Sequence, residues 1–98
     1  MQDQVASKSV FAEVLELINS GQLVAAERIC NNTISRYPND PNISGLLGAL
    51  LVKMKKYQEA EKVLNRTIEL APTFAKPHED LGFVLLEMNR PNEAIVAL

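Results

Sequence analysis

Residues 41–72 read PNISGLLGALLVKMKKYQEAEKVLNRTIELAP: two helical patterns, a short polar turn between them, and a closing proline. The landmarks of this stretch recur 34 residues away on both sides. Moving forward takes Leu47-Gly48 onto Leu81-Gly82, Leu51 onto Leu85 and Ala60 onto Ala94; moving back takes Ala60 onto Ala26 and Pro72 onto Pro38. A fixed period of this length is the mark of an array in which each unit is a helix pair unable to bury its apolar face alone. Glycine inside a helix costs about 1 kcal/mol relative to alanine, so its return at one phase calls for a tertiary cause. Close approach of the paired helix supplies one, with Ala26, Ala60 and Ala94 as the small partner surface.

The rest of the chain can be placed against that register. Residues 1–6 are polar and aperiodic, which predicts a disordered lead-in. From Ser9, Val10, Val14, Leu17 and Ile18 keep helical spacing as far as Asn19-Ser20-Gly21, where Gly21 suits a left-handed helix end. Leu23, Ala26, Ile29, Cys30, Thr33 and Ile34 mark a second helix, stopped at Tyr37-Pro38 because the residue before a proline is pushed out of helical geometry. Asp40 is placed to cap a third helix that starts with Pro41 and runs to about Met54. A fourth spans residues 57–70, a fifth opens at Thr73 or Phe74, and a sixth begins at Pro91. Lys55 falls at the phase of Gly21 and Asn89, where lysine tolerates left-handed geometry less well than glycine or asparagine, so a slightly strained or differently shaped turn is expected. The reading is all-α, one domain over residues 1–98, with repeats at 7–40, 41–74 and 75–98, the last cut short.

Composition narrows the function. A net charge of −2 and a pI near 5.3 give no broad positive field, so nucleic acid is not expected as a partner. The longest apolar run, residues 45–52, is far short of the roughly 20 residues that cross a bilayer, and the N-terminus lacks the flank and core of a signal peptide. Together with the lone Cys30, this predicts a cytoplasmic chain without membrane association. Asn31, Asn42 and Asn65 head glycosylation triplets that would matter only in a secreted chain. No catalytic, metal or cofactor site is expected. His78 and Cys30 are 48 residues apart, both at packing positions, and form no ligand cluster. Glu59/Glu61 and Glu79/Asp80 sit at helix starts, where carboxylates favour the positive end of the helix.

The motifs resemble tetratricopeptide repeats, whose pattern is W-x₂-L-G-x₂-Y, then A-x₃-F, then P. In the middle repeat Ser44 stands for the tryptophan, Leu47-Gly48 match, Leu51 stands for the tyrosine, Ala60 and Leu64 fill the A-x₃-F step, and Pro72 closes. His78, Leu81-Gly82, Leu85, Ala94 and Leu98 fall at the same places in the last repeat. The first departs, with Glu13-Val14 where Leu-Gly is expected. The resemblance implies a right-handed superhelical array of antiparallel helix pairs, here about two and three-quarter repeats. It also implies a concave face lined by the first helix of each repeat that holds a peptide or partner segment. The inward stripe would be Lys8, Phe11, Leu15, Ile18 and Asn19; then Asn42, Gly45, Ala49, Val52 and Lys53; then Lys76, Glu79, Phe83, Leu86 and Glu87. Phe11, Leu15, Val52 and Phe83 would form an apolar floor within a mixed-charge rim. The same stripe is equally open to packing inside the repeats or against a neighbouring domain.

Members of the family that hold chaperone C-terminal tails clamp carboxylates with lysine, asparagine and arginine. The matching positions are Phe11, Leu15, Leu46, Lys76 and Asp80, of which only Lys76 fits, so a carboxylate clamp is not expected. The leading expectation is therefore a binding module for a protein or peptide. The last helix pattern stops in apolar sequence, which favours a longer parent protein. A fainter resemblance of residues 75–94 to repeat regions ahead of bacterial sulfotransferase domains offers the non-catalytic arm of an enzyme as the rival. A third expectation is a homodimer through the truncated end, around Ile95 and Leu98.

Overall fold

The computed structural model describes residues 8–97, and the side chains of residues 9–94. The predicted lead-in and Leu98 lie outside the described residues, as do the side chains of Lys8 and Ile95. Among the described residues six helices follow one another: α1 Lys8–Asn19, α2 Leu23–Arg36, α3 Pro41–Lys53, α4 Tyr57–Leu70, α5 Ala75–Glu87 and α6 Pro91–Ala97. Each packs on the next, and α3 also touches α1 and α5, so α1, α3 and α5 form one layer and α2, α4 and α6 the other. The result is a right-handed superhelical array of antiparallel helix pairs. Its extents of 42 × 29 × 18 Å fit two helix layers, each about 10 Å thick, running along the long axis.

Local chemistry sets the boundaries. Asp40 is 1% exposed and caps α3, its Oδ1 accepting from the Asn42 backbone N–H at 2.9 Å, and Pro41 fills the first helical position. The corresponding N-cap of α5 is Phe74, which makes no side-chain cap bond. The fifth helix therefore starts one or two residues later than the sequence suggests, and an aromatic ring is left beside the α3–α5 seam. The three intra-pair turns share one conformation: Gly21, Lys55 and Asn89 have φ of 82°, 61° and 64°. Lys55 adopts the left-handed geometry despite its Cβ. Lys55→Gly should relieve that strain and stabilise the chain by up to about 1 kcal/mol, read as a higher urea midpoint at unchanged slope.

The core runs the length of the array. Val14, Ala26, Cys30, Leu50, Ala60, Leu64, Val84 and Ala94 are at most 1% exposed. A Cβ on Gly48 would stand 2.5 Å from Leu64 Cδ2 and 3.0 Å from its Cγ, so the glycine does bring α3 and α4 together. In the first pair Val14 occupies that phase and is fully buried, while Glu13 beside it is exposed. At the tryptophan position Ser44 bonds to Thr67 Oγ1 at 2.8 Å, and the Thr67 hydroxyl donates in turn to the Val63 carbonyl at 2.8 Å. A buried polar pair thus replaces the large ring, with its hydrogen-bonding groups satisfied.

The period also governs the surface. Lys56 Nζ donates to Glu27 at 3.2 Å and Arg90 Nη1 to Glu61 at 2.8 Å. The two ion pairs are related by the 34-residue shift, each joining the second helix of one pair to the start of the second helix of the next. Arg90 also forks onto Glu93, holding that carboxyl below its usual range and pushing the guanidinium further up.

Candidate partner-binding groove

The first helix of each pair turns one face toward a shared apolar hollow of about 500 Å³. From α1 it is lined by Phe11, Leu15 and Ile18; from α3 by Asn42, Gly45, Leu46, Ala49, Leu50, Val52 and Lys53; from α5 and its N-cap by Phe74, Lys76, Pro77 and Asp80. Helical spacing explains the set. Asn42, Gly45, Ala49, Val52 and Lys53 fall three or four residues apart and share one face of α3. Leu47, Leu51 and Gly48 point the other way, into the core.

Of the residues expected on the concave face, the hollow brings together Phe11, Leu15, Ile18, Asn42, Gly45, Ala49, Val52, Lys53 and Lys76. Asn19, Glu79, Phe83, Leu86 and Glu87 are exposed but stand apart from its lining, and the Lys8 side chain is outside the described residues. Phe83 is 45% exposed and meets the Tyr57 ring edge-on, with centroids 6.4 Å apart and an angle of 66°. Its place in the expected floor is taken by Phe74. That ring lies over Gly45, where a Cβ would come within 3.2 Å of Phe74 Cε2. Turn residues have no helical phase, so periodicity could not assign Phe74 to a face; only its position opposite a second in-helix glycine hinted at a close neighbour.

Asp80, a clamp-matching position outside the expected stripe, also lines the hollow. It is a largely buried carboxylate on the wall of the hollow, its side chain 11% exposed, with Lys76 Nζ donating to its Oδ1 at 2.8 Å. Its Oδ2 is buried without a hydrogen-bond partner.

The single histidine and the single cysteine are both engaged in structure. His78 Nε2 donates to the Pro72 carbonyl at 2.8 Å, which ties α5 to the preceding turn. Cys30 is fully buried, and its burial, with Glu27 adding, pushes the thiol up to about 11. A thiol so far from ionising is a poor nucleophile at neutral pH. Among the described residues no three His, Cys, Asp or Glu side chains gather as metal ligands, and no helix is long and apolar enough to cross a membrane.

A two-layer array of helix pairs with an open apolar groove along the first helices defines a helical-repeat scaffold. The tetratricopeptide repeat family model matches residues 17–79, and the chain belongs to that family. Among solved structures it is similar to the second TPR of Spaghetti (RPAP3), bound to the HSP90 peptide SRMEEVD. That match has a TM-score of 0.86 at 20% identity and covers 91% of this chain and 82% of that one. It is also similar to MamA AMB-1, with a TM-score of 0.82 at 20% identity over 90% of this chain and 48% of that one. A Thermobaculum terrenum O-GlcNAc transferase mutant matches with a TM-score of 0.86 at 29% identity, over 92% of this chain. The chain spans about half of MamA and 17% of the transferase. A search of curated proteins found no match.

Proposed function

We propose that the chain is a protein-interaction module that binds an extended peptide or partner segment along the concave face of α1, α3 and α5. The observation that carries this reading is the hollow itself. It is apolar, open, and continuous across three helices whose core-facing sides are already filled. An apolar side chain seated there would remove surface from water on both partners, and aromatic walls such as Phe11 and Phe74 dominate interfaces of this kind. The peptide held by the second TPR of Spaghetti supports the same use of the fold.

The groove is not built for a carboxylate tail. Lys76, the single clamp-like residue, is already engaged by Asp80, and that carboxylate would repel an acidic terminus. The peptide SRMEEVD should therefore fail to saturate this chain at millimolar concentration.

The general test is selection of a random nine-residue phage-displayed peptide library on the 98-residue chain, followed by titration of the winners against Ala49→Arg. Ala49 is half-buried at the centre of the hollow, and arginine there fills it with a charge while keeping good helix propensity. Binding should fall at least tenfold at unchanged helicity. Peptides that bind the variant as well as the parent would place the site elsewhere.

A second reading, a non-catalytic arm of a larger enzyme, is supported by the transferase match, which covers only 17% of that enzyme. The two are compatible, since such an arm would use the same groove to position a partner.

A further inference from the structure

Residues 53–56 read KMKK, a run of cations in a chain whose net charge is −2, and they build the turn between α3 and α4. Two of these lysines are accounted for by the fold. Lys53 lies in the last turn of α3, where a cation favours the negative end of the helix, and Lys56 ties α4 to Glu27. Lys55 is accounted for by neither. It is exposed, its ammonium has no hydrogen-bond or ion-pair partner among the described residues, and its backbone is left-handed at φ 61°, where the equivalent turns carry glycine and asparagine. A Cβ in that geometry costs stability, and such costs collect at functional positions.

Lys55 stands at the rim of an open hollow of about 680 Å³ along the turn edge of the array, lined also by Lys56, Tyr57, Gln58, Glu59 and Met88. None of these residues lines the concave groove. Tyr57 and Met88 are half-buried, and the Tyr57 ring meets Phe83 edge-on, so an aromatic ring and an adaptable thioether form an apolar floor beside a free cation. We propose that this edge is a second interaction surface, independent of the groove, for an acidic segment of a partner protein. One large apolar side chain of the segment rests on Tyr57 and Met88 while a neighbouring carboxylate pairs with Lys55. Charge complementarity selects this occupant. Glu27 holds Lys56, so Lys55 is the uncommitted cation of the hollow, and a carboxylate beside it gains an ion pair without displacing another. Glu59 on the same hollow repels a longer acidic run, so the match is one or two carboxylates next to an apolar residue.

Lys55→Gly separates binding from folding, because it removes the cation and the backbone strain together: the segment should bind more weakly to a chain that is at least as stable. The probe is the random nine-residue phage-displayed library panned on Ala49→Arg, whose groove is filled. Winners should carry Asp or Glu beside one large apolar residue and lose about fivefold in affinity when Lys55→Gly is added, the upper end for one exposed ion pair. Their binding should also weaken as salt is raised. Replacing the peptide carboxylate by its amide should cost the same factor on Ala49→Arg and little once Lys55→Gly is present. Winners without a carboxylate, winners that change less than about twofold on Lys55→Gly, or a library that yields no winner each overturn the proposal. Binding of Ala49→Arg to phosphatidylserine vesicles that Lys55→Gly abolishes, with no acidic winner, also overturns it, since the edge would then meet a membrane surface. All of these outcomes leave the groove reading standing.

Discussion

Gly48→Val should destabilise the chain by about 3 kcal/mol, lowering the thermal midpoint by more than about 10 °C. The cause is geometric. The position is buried, and even a bare Cβ there would lie 2.5 Å from Leu64 Cδ2 and 3.7 Å from Val63 Cγ1. Leu64 cannot swing aside into water, since it is 0% exposed and enclosed by core residues. Valine adds two further methyls, and a β-branched residue restores little of the helix propensity that glycine forfeits. For a chain of this length, whose total stability is expected near the lower part of about 5 to 15 kcal/mol, such a loss takes a large share. Urea unfolding followed by circular dichroism would measure it. A variant within about 0.5 kcal/mol of the parent would mean that α3 and α4 can separate without cost, contrary to the packing described.

The register that singles out Gly48 was legible in the sequence because glycine, proline and the apolar positions recur at fixed distances. The expected bounds of the third and fourth helices agree with the structure to within a residue or so, and of the two outcomes expected at Lys55 the structure shows the strained one, with the left-handed turn shared by Gly21 and Asn89. The groove was less legible. Helical phase placed Ala49 and Val52 on the concave wall, yet Phe74 lies in a turn where phase has no meaning. Asp80 reads as a helix-start carboxylate and as a clamp position that does not fit, but not as part of the apolar wall, because a charged residue is ordinarily assigned to water. Its alignment with Leu46 was available in the sequence and pointed inward. The Lys56–Glu27 and Arg90–Glu61 pairs were legible in the same way, as charges of fixed sign repeating with the period. Phe83 shows the converse: its phase is concave, but it lies outside the lining of the hollow, edge-on to the Tyr57 ring.

Leu64→Ala should cost about 3 to 4 kcal/mol, since the removed atoms are fully buried and the rigid helices around them can close only part of the cavity. Its effect should also invert that of a change at Gly48. On the parent chain Gly48→Ala gains about 1 kcal/mol of helix propensity but loses about 2 kcal/mol to crowding against Leu64, a net destabilisation near 1 kcal/mol. With Leu64 cut back to alanine, the atoms that a new Cβ would strike are gone. Gly48→Ala then keeps its propensity gain, fills part of the cavity, and should stabilise by about 1 kcal/mol. The coupling between the two positions is therefore about 2 kcal/mol, within the range for residues in direct contact. Additive behaviour in this double-mutant cycle would show that the repeated glycine is not held by helix proximity, and that its recurrence needs another cause.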